Sequence, residues 1–269
     1  MAQLPIALHT RKTWCTILEG GNVPPGSRLY SLAPCGLGTI FLESFTGYLN
    51  RLGWSHHVSP RALAAEMIVP LLNEDWQLTL TEVGRFSTLR AMSLNEGGIV
   101  TSGWIDALKQ LTARADLHLL TLGSWIGDLP RRGQLRQTPA WCPSCLQEWQ
   151  DKGHPIYQPL LWMFRIVTIC PHHHTFLLDR CPSCQRRQTI MTTNKTSPGE
   201  CTSCATWLGT GSGATKPDAP NDDLMAWQGW VIHVLAELLG SGQLQWEPFF
   251  RHLRDFLQRQ KAYSRLAHE

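Results

Sequence analysis

The chain has 269 residues, of which 43% are hydrophobic and 17% are charged, and its formal net charge is +3. This is an ordinary globular composition with enough apolar surface for at least one core, so extensive disorder is excluded. The mild basicity permits contact with nucleic acid without requiring it. Met1–Lys12 shows no signal-peptide pattern and the sequence contains no long apolar run, so we expect a cytoplasmic protein.

The first half of the chain is predicted to be an extended arm followed by short helices. Residues 1–38 are rich in Gly, Pro and Ser, which is typical of an arm. Apolar residues at helical spacing predict a helix from Phe41 to a stop at Gly53, and Ser59 and Pro60 predict the start of a second helix that ends at Pro70. Such a pair is similar to a helix-turn-helix, although two packed helices of an ordinary bundle give the same pattern.

Further helices are predicted over residues 102–113 and 116–125, from Asp222 or Asp223 through Leu239, and from Glu247 onward. The predicted fold class is therefore mostly α, with a middle metal-binding module and a short C-terminal helical segment. We expect four parts: an extended arm (1–38), a helical helix-turn-helix-like domain (39–130), a tandem zinc-finger domain of two ribbons or knuckles (131–209), and a linker with C-terminal helices (210–269).

Seven of the nine cysteines fall in the middle of the chain, three times as CxxC pairs, and a Cys-Pro-His-His run adds a fourth pair. In a chain without a signal peptide such pairs indicate metal sites rather than disulfides, because two intervening residues let one turn direct both ligands at one tetrahedral centre. The pattern predicts two structural Zn²⁺ ions held by eight side chains: Cys142, Cys145, Cys170, His173, Cys181, Cys184, Cys201 and Cys204.

Two points about these sites stay open. His173 is chosen among three consecutive histidines because its spacing from Cys170 matches the CxxC pairs, and His172 and His174 are expected to face solvent or to contact the ligands indirectly. The four pairs could combine sequentially or in a cross-braced way, in which the first and third pairs share one ion. Loop entropy favours the sequential scheme only slightly.

No enzymatic motif supports catalysis. A closed four-ligand shell leaves no position for a reactive water. The His-x-Glu of zinc deaminases, the His-Glu-x-x-His of zinc proteases and the phosphate-binding GxxxxGK[ST] loop are all absent from the sequence. We therefore predict a binding protein rather than an enzyme, with no catalytic residues and no small-molecule substrate.

Five arginines beside the zinc pairs are candidates for nucleic-acid contact, although short charged clusters are more often solvated: Arg131, Arg132, Arg136, Arg186 and Arg187.

The stretch from Trp141-CPSC through Val167-Thr168-Ile169-CPHH to the last two CxxC pairs, together with the run from Pro34 to Leu52, resembles the TniQ/TnsD family of transposon target-selection proteins. The resemblance covers about residues 29–209. Because the chain ends soon after the zinc region, it is similar to the short TniQ type.

The resemblance implies a non-catalytic adaptor of DNA transposition. It would connect a target-recognition complex, such as a CRISPR effector on guide-specified DNA, to the AAA+ ATPase TnsC, which brings in the transposase. It also implies a bacterial protein that joins the nucleoid when engaged on DNA, and the N-terminal arm is our candidate for the TnsC contact. The alternative is a stand-alone, sequence-specific zinc-containing DNA-binding protein that selects an attachment site or regulates transcription.

Overall fold

A computed structural model describes residues 27–72, 88–124, 134–210 and 220–241. Within these ranges the chain is mostly helical, and its β-structure is limited to isolated bridges. No helix of the described part is long and apolar enough to cross a membrane. Residues 1–26 of the predicted arm, the Pro130–Gly133 boundary, most of the linker and the helix after Glu247 lie outside the described residues, and the four domain limits stay predictions.

Helix α1 spans Phe45–Ser55 and is capped by Ser44, whose hydroxyl accepts a hydrogen bond from the Gly47 amide at 3.2 Å. Both predicted limits are wrong: the helix begins at Phe45 rather than Phe41, because Ser44 caps it, and it continues past Gly53 to Ser55. Gly53 serves a different purpose: a Cβ there would lie 3.2 Å from the backbone of Pro60, so glycine allows the next helix to approach closely.

Helix α2 spans Pro60–Leu63, with Ser59 as its cap and Pro60 in its first turn, so the predicted start is confirmed. The predicted end at Pro70 is wrong, because the α-helix stops at Leu63. Beyond it the chain continues as a π-helical turn over Ala64–Ile68 and a 3-10 turn over Val69–Leu71. The two helices contact each other. Whether they read DNA as a helix-turn-helix stays a prediction.

Helix α3 spans Thr88–Glu96 and lacks a counterpart among the predicted elements. Helix α4 spans Ile99–Thr112, so the helix predicted over 102–113 is present but begins earlier. It ends at Thr112 because Ala113 adopts the left-handed conformation. The helix predicted over 116–125 is wrong: the chain forms two 3-10 turns, Leu117–Leu120 and Leu122–Ser124. They are separated by Thr121, whose extended backbone breaks the helical path.

Helix α5 spans Pro143–Asp151 inside the metal-binding region, and helix α6 spans Asp222–Ser241. The helix predicted from Asp222 or Asp223 through Leu239 is therefore present, and it extends to Ser241. Its cap differs from the expectation, because the Asn221 side chain accepts the Leu224 amide at 2.9 Å, while Asp222 and Asp223 lie inside the first turn.

One main hydrophobic core joins segments that are far apart in sequence. It includes residues of α1 to α4, of the stretch between Leu135 and Val167, and Val231 and Leu235 of α6. Leu29 and Leu32, from the end of the predicted arm, also pack into this core. A second, smaller core contains Trp141, Trp162 and five of the candidate cysteine ligands. The metal-binding region is thus built against the helices.

The start of α1 is fixed to the preceding loop by a buried ion pair. Glu43 and Arg51 lie 2.7 Å apart with side-chain exposures of 0% and 5%. Arg51 also donates to the Ala33 carbonyl, and Glu43 accepts the Cys35 amide. Burial opposes the charge of Arg51, but the adjacent Glu43 carboxylate outweighs it and raises the pKa of the guanidinium. The pair therefore holds residues 33–35 against the first helix.

Candidate metal centres

The structure brings four of the predicted ligands together in a first group: Cys142, Cys145, Cys170 and His173. The sulfur atoms of Cys145 and Cys170 lie 3.5 Å apart. His173 Nδ1 lies 3.2 Å from the Cys145 sulfur and 3.6 Å from the Cys142 sulfur. These distances place Nδ1, rather than Nε2, on the side of the thiols.

The other four predicted ligands form a second group: Cys181, Cys184, Cys201 and Cys204. The Cys181 and Cys204 sulfurs lie 3.7 Å apart, as do those of Cys184 and Cys201. Within each group all ligand atoms lie within 4.8 Å of one another. The groups correspond to the sequential combination of pairs, and the cross-braced alternative does not match this geometry.

Three of the four ligand pairs share one backbone turn. In each, the amide four residues after the first cysteine donates to that cysteine's carbonyl: His174 to Cys170, Gln185 to Cys181 and Ala205 to Cys201, each at 2.9 Å. The amide of the same cysteine donates to the carbonyl five residues later, at 2.8 to 3.0 Å. The chain closes this turn by placing a residue in the left-handed region, with φ of 53° at His174, 59° at Gln185 and 57° at Ala205. The second ligand of each pair comes just before that residue.

The first pair is built differently, on the start of helix α5. Cys142 is the N-cap residue, Pro143 occupies the first turn, and Cys145 follows in that turn. The proline fits because the first helical amides have no partner within the helix. The sequence thus produces the same ligand spacing from a helix start and from a knuckle turn.

The donor sets fit structural zinc. Two sulfurs bound to one tetrahedral ion at about 2.3 Å lie about 3.8 Å apart, close to the separations seen here. Three or four thiols packed this closely would repel one another as thiolates, and a divalent cation offsets that repulsion. Zinc would be held by Cys142, Cys145, Cys170 and His173 in one centre and by the four remaining cysteines in the other. When bound it crosslinks the chain, and each set already supplies four protein ligands.

Neighbouring polar groups orient the ligands. Glu148 Oε2 lies 3.3 Å from His173 Nε2, on the ring edge opposite the thiols, and so favours coordination through Nδ1. In the second centre the buried Gln188 side chain donates to the Cys201 sulfur at 3.5 Å and accepts the Thr202 amide at 2.8 Å. Contacts from the side chain and amide of Thr206 lower the pKa of Cys204 to about 6, which favours the thiolate that metals bind.

The other two histidines of the run lie at the surface. His172 is exposed, and its Nε2 lies 3.3 Å from Glu148 Oε2. His174 is also exposed and supplies the left-handed residue of its turn. Their placement agrees with the expectation that neither faces the metal.

Helix α6 contacts the backbone that leads into the first centre. The Gln228 side chain is buried, and its Oε1 accepts the Thr168 amide at 2.9 Å and the Ile169 amide at 3.3 Å. Its Nε2 donates to the Ile166 carbonyl at 2.9 Å. One glutamine therefore satisfies three backbone groups within four residues of Cys170.

The predicted nucleic-acid arginines occupy different environments. Arg131 and Arg132 lie outside the described residues. Arg136 is half-buried and donates to the Val167 carbonyl. Arg186 and Arg187 are exposed, and Arg187 Nε pairs with Asp179 Oδ2 at 3.2 Å. Their role in binding nucleic acid stays a prediction.

Sequence reasoning missed Glu148, Gln188 and Gln228, which orient the ligands or their backbone. Glu148 lies one helical turn after Cys145, so a helix starting at Pro143 would have revealed a carboxylate on the ligand side. Gln188 and Gln228 carried no local signal, because a buried glutamine can be recognised only from the backbone groups that surround it.

The TniQ family model matches residues 37–177, which is 141 of the 269 residues and includes all four ligands of the first centre. The chain belongs to the TniQ family. Membership implies a part in transposon-associated target selection, and TniQ proteins are non-catalytic adaptors. The second centre follows the matched segment, since Cys181 is its first ligand. A comparison with curated proteins finds no match.

Proposed function

We propose that this TniQ protein is a transposition adaptor that connects a target-recognition complex to a TnsC-type AAA+ ATPase and so directs DNA integration. The recognition complex of the proposal is a CRISPR effector bound to guide-specified DNA. The transposase is engaged only indirectly, through the ATPase. The observation that carries the proposal is the family match over residues 37–177.

The architecture supports a role in binding. The eight ligands of the two groups all lie between Cys142 and Cys204, and crosslinking by zinc would add rigidity to the small core of this segment. The segment is also attached to the main core by residues between Leu135 and Val167. A rigid surface loses little entropy when a partner binds, which suits an adaptor.

The experiment is a pull-down of the zinc-loaded protein with its TnsC-type ATPase and its guide-loaded effector. We expect both partners to be retained, and the complex with all three to form on target DNA. An Asp106→Asn variant, altered at an exposed ion pair of α4, is the matched control and should behave as the wild type. Failure to retain either partner, under conditions that keep the effector on its DNA, would contradict the adaptor role.

The same purified protein can be used to distinguish the adaptor from the stand-alone DNA-binding alternative. A sequence-specific DNA-binding protein should recognise one duplex by itself and lose about 1–3 kcal/mol of binding free energy per mismatched base pair. Binding of this kind in a gel shift, without any association with TnsC, would favour the alternative over the adaptor.

A further inference from the structure

Four arginines from three stretches of the metal-binding region are brought to one surface, which we call the arginine face: Arg136, Arg165, Arg180 and Arg187. An antiparallel bridge between Leu135 and Phe164 places the first two beside each other. The Arg136 amide donates to the Met163 carbonyl at 2.7 Å, and the Arg165 amide donates to the Gln134 carbonyl at 2.9 Å. A second bridge pairs Arg180 directly with Arg187.

Asp179 connects the two halves of the arginine face. Its carboxylate pairs with Arg187 at 3.2 Å and also attracts the charge of Arg136 electrostatically. Burial lowers the pKa of Arg136. The negative charge of Asp179 opposes this shift, whereas the positive charge of Arg165 adds to it. The arginine face thus contains four arginines and one neighbouring carboxylate, so it keeps an excess of positive charge.

The guanidinium groups are held in place rather than free to spread apart. Arg136 donates to the Val167 carbonyl, and Arg180 donates to the Gln185 carbonyl at 3.2 Å. Arg136 Nε is buried, and no hydrogen-bond partner for it occurs among the described residues. Holding like charges together in this way costs free energy unless an anion lies nearby. Arg165, Arg180 and Arg187 are exposed, so an anion can reach them.

We propose that the arginine face binds the phosphate backbone of duplex DNA beside the target site. This inference rests on the proposed function, because target selection brings the protein to DNA. Arginine suits the partner, since its planar group forms paired hydrogen bonds with phosphate oxygens. The contact carries no sequence information and orients the adaptor on the duplex. The second zinc centre holds one contributing loop, since Arg180 directly precedes Cys181 and Arg187 follows Cys184.

The test compares two double variants with equal change in net charge. Arg165→Gln with Arg187→Gln removes two exposed members of the face and spares the half-buried Arg136. The control is Arg28→Gln with Lys109→Gln, which removes two cations from the helical region. Arg28 lies near the end of α4, and Lys109 lies on that helix. Zinc content and the midpoint of thermal unfolding should be unchanged in both, which shows that the fold is intact.

Binding is measured by fluorescence anisotropy of a labelled duplex over a range of salt concentrations. The face variant should bind roughly tenfold more weakly at low salt, and its slope of log affinity against log salt should fall by about two, whereas the control should match the wild type. Equal loss in both variants, no duplex binding by the wild type, or tighter binding to single-stranded RNA of the same length would each overturn the proposal.

Retention of the TnsC-type ATPase is measured separately in the absence of DNA. If the face variant loses duplex binding but still retains the ATPase, both the arginine face and the adaptor role are supported. If the wild-type protein retains the ATPase but does not bind the duplex, only the arginine face is rejected. Duplex binding that depends on the face, without any ATPase interaction, rejects only the adaptor role.

Discussion

Glu43 and Arg51 are a charged pair almost completely removed from water. Replacing Glu43 with Gln keeps the size of the side chain but leaves the Arg51 charge buried without its partner. We expect the free energy of unfolding to fall by about 3–5 kcal/mol, as when one partner of a buried pair is removed. Urea unfolding followed by tryptophan fluorescence measures this change.

The exposed pair of Lys109 and Asp106 provides the comparison for that variant, since both side chains are largely solvated. Asp106→Asn should change the free energy of unfolding by less than about 1 kcal/mol. Equal effects of the two substitutions would show that burial of the Glu43–Arg51 pair does not matter to stability.

His56 links the N-terminal segment to α1 in a pH-dependent way. Its Nε2 accepts the Tyr30 amide at 3.0 Å, and its ring stacks on Tyr30 at 4.2 Å between centroids. Burial lowers the pKa of His56 below its usual value. The contact is therefore fully formed above about pH 6.5, where histidine is neutral in the unfolded chain, and its stabilisation is lost as pH falls through the lower folded pKa.

We predict that the protection factor of the Tyr30 amide against hydrogen exchange drops between pH 7.5 and pH 5.5. His56→Phe keeps an aromatic ring but removes the acceptor, so protection should be low at both pH values. His154→Gln, at an exposed histidine, should keep the wild-type response. A Tyr30 protection factor that does not change with pH would refute the role of His56.

At the scale of elements, the knuckle turn depends on a left-handed residue after its second ligand. Ala205 occupies this position with φ of 57° and is exposed. Ala205→Gly should raise the free energy of unfolding by about 1 kcal/mol, because glycine adopts this conformation without steric cost, and Ala205→Val should lower it. Thermal unfolding of the zinc-loaded protein measures both effects.

Two further alanines test whether that gain depends on conformation. Ala113→Gly, at another left-handed position, should also stabilise the protein, whereas Ala62→Gly, inside α2, should destabilise it by about 1 kcal/mol. Destabilisation by glycine at all three positions would show that the backbone conformation is not the cause.

Gln228 connects α6 with the segment before Cys170. Gln228→Ala leaves the Thr168 and Ile169 amides and the Ile166 carbonyl without their partner, so we expect a loss of about 2–4 kcal/mol in the free energy of unfolding. Zinc affinity of the first centre, measured by competition with a chelator, should fall as well.

Gln228→Glu divides this contact into its parts, because a carboxylate can accept the two amides but cannot donate to Ile166. It should lie between the wild type and Gln228→Ala. Gln110→Ala, at an exposed position of α4, should change stability by less than about 0.5 kcal/mol. If Gln228→Ala resembles Gln110→Ala, α6 does not support the first centre.

The elements differed in how far the sequence could predict them. Ligand spacing predicted both groups of four because local turns determine it, and Ser59-Pro60 predicted the start of α2 for the same reason. Helix α3 was missed because its apolar residues show little helical periodicity and its place depends on packing against α1 and α4. The stop assigned to Gly53 failed because that glycine serves a close contact rather than a turn.

For the whole molecule, two zinc ions per chain are the central expectation. Elemental analysis of the purified protein should find two equivalents, and a strong chelator should lower the thermal stability of the metal-binding region, since each ion contributes on the order of 10 kcal/mol to local folding. Cys184→Ser should leave one equivalent, and Cys142→Ser should unfold the region around the first centre. Both variants should lose partner recruitment.

A serine at Ser203 provides the control for these variants, because it lies exposed between Cys201 and Cys204 and is not a ligand. Ser203→Ala should keep both zinc ions and full recruitment. Soluble, fully active protein after Cys142→Ser or Cys184→Ser would contradict a structural role of the metal.

The main core has a consequence for synthesis of the protein. Its helices Phe45–Ser55 and Ile99–Thr112 are translated early, but they share this core with Leu135, Leu160, Leu161 and Val167, and with Val231 and Leu235, which are translated much later. A nascent chain that ends before residue 135 therefore exposes surface that only later translation can cover. On the ribosome, such a chain should depend on chaperones until the segment leading to Cys170 has emerged.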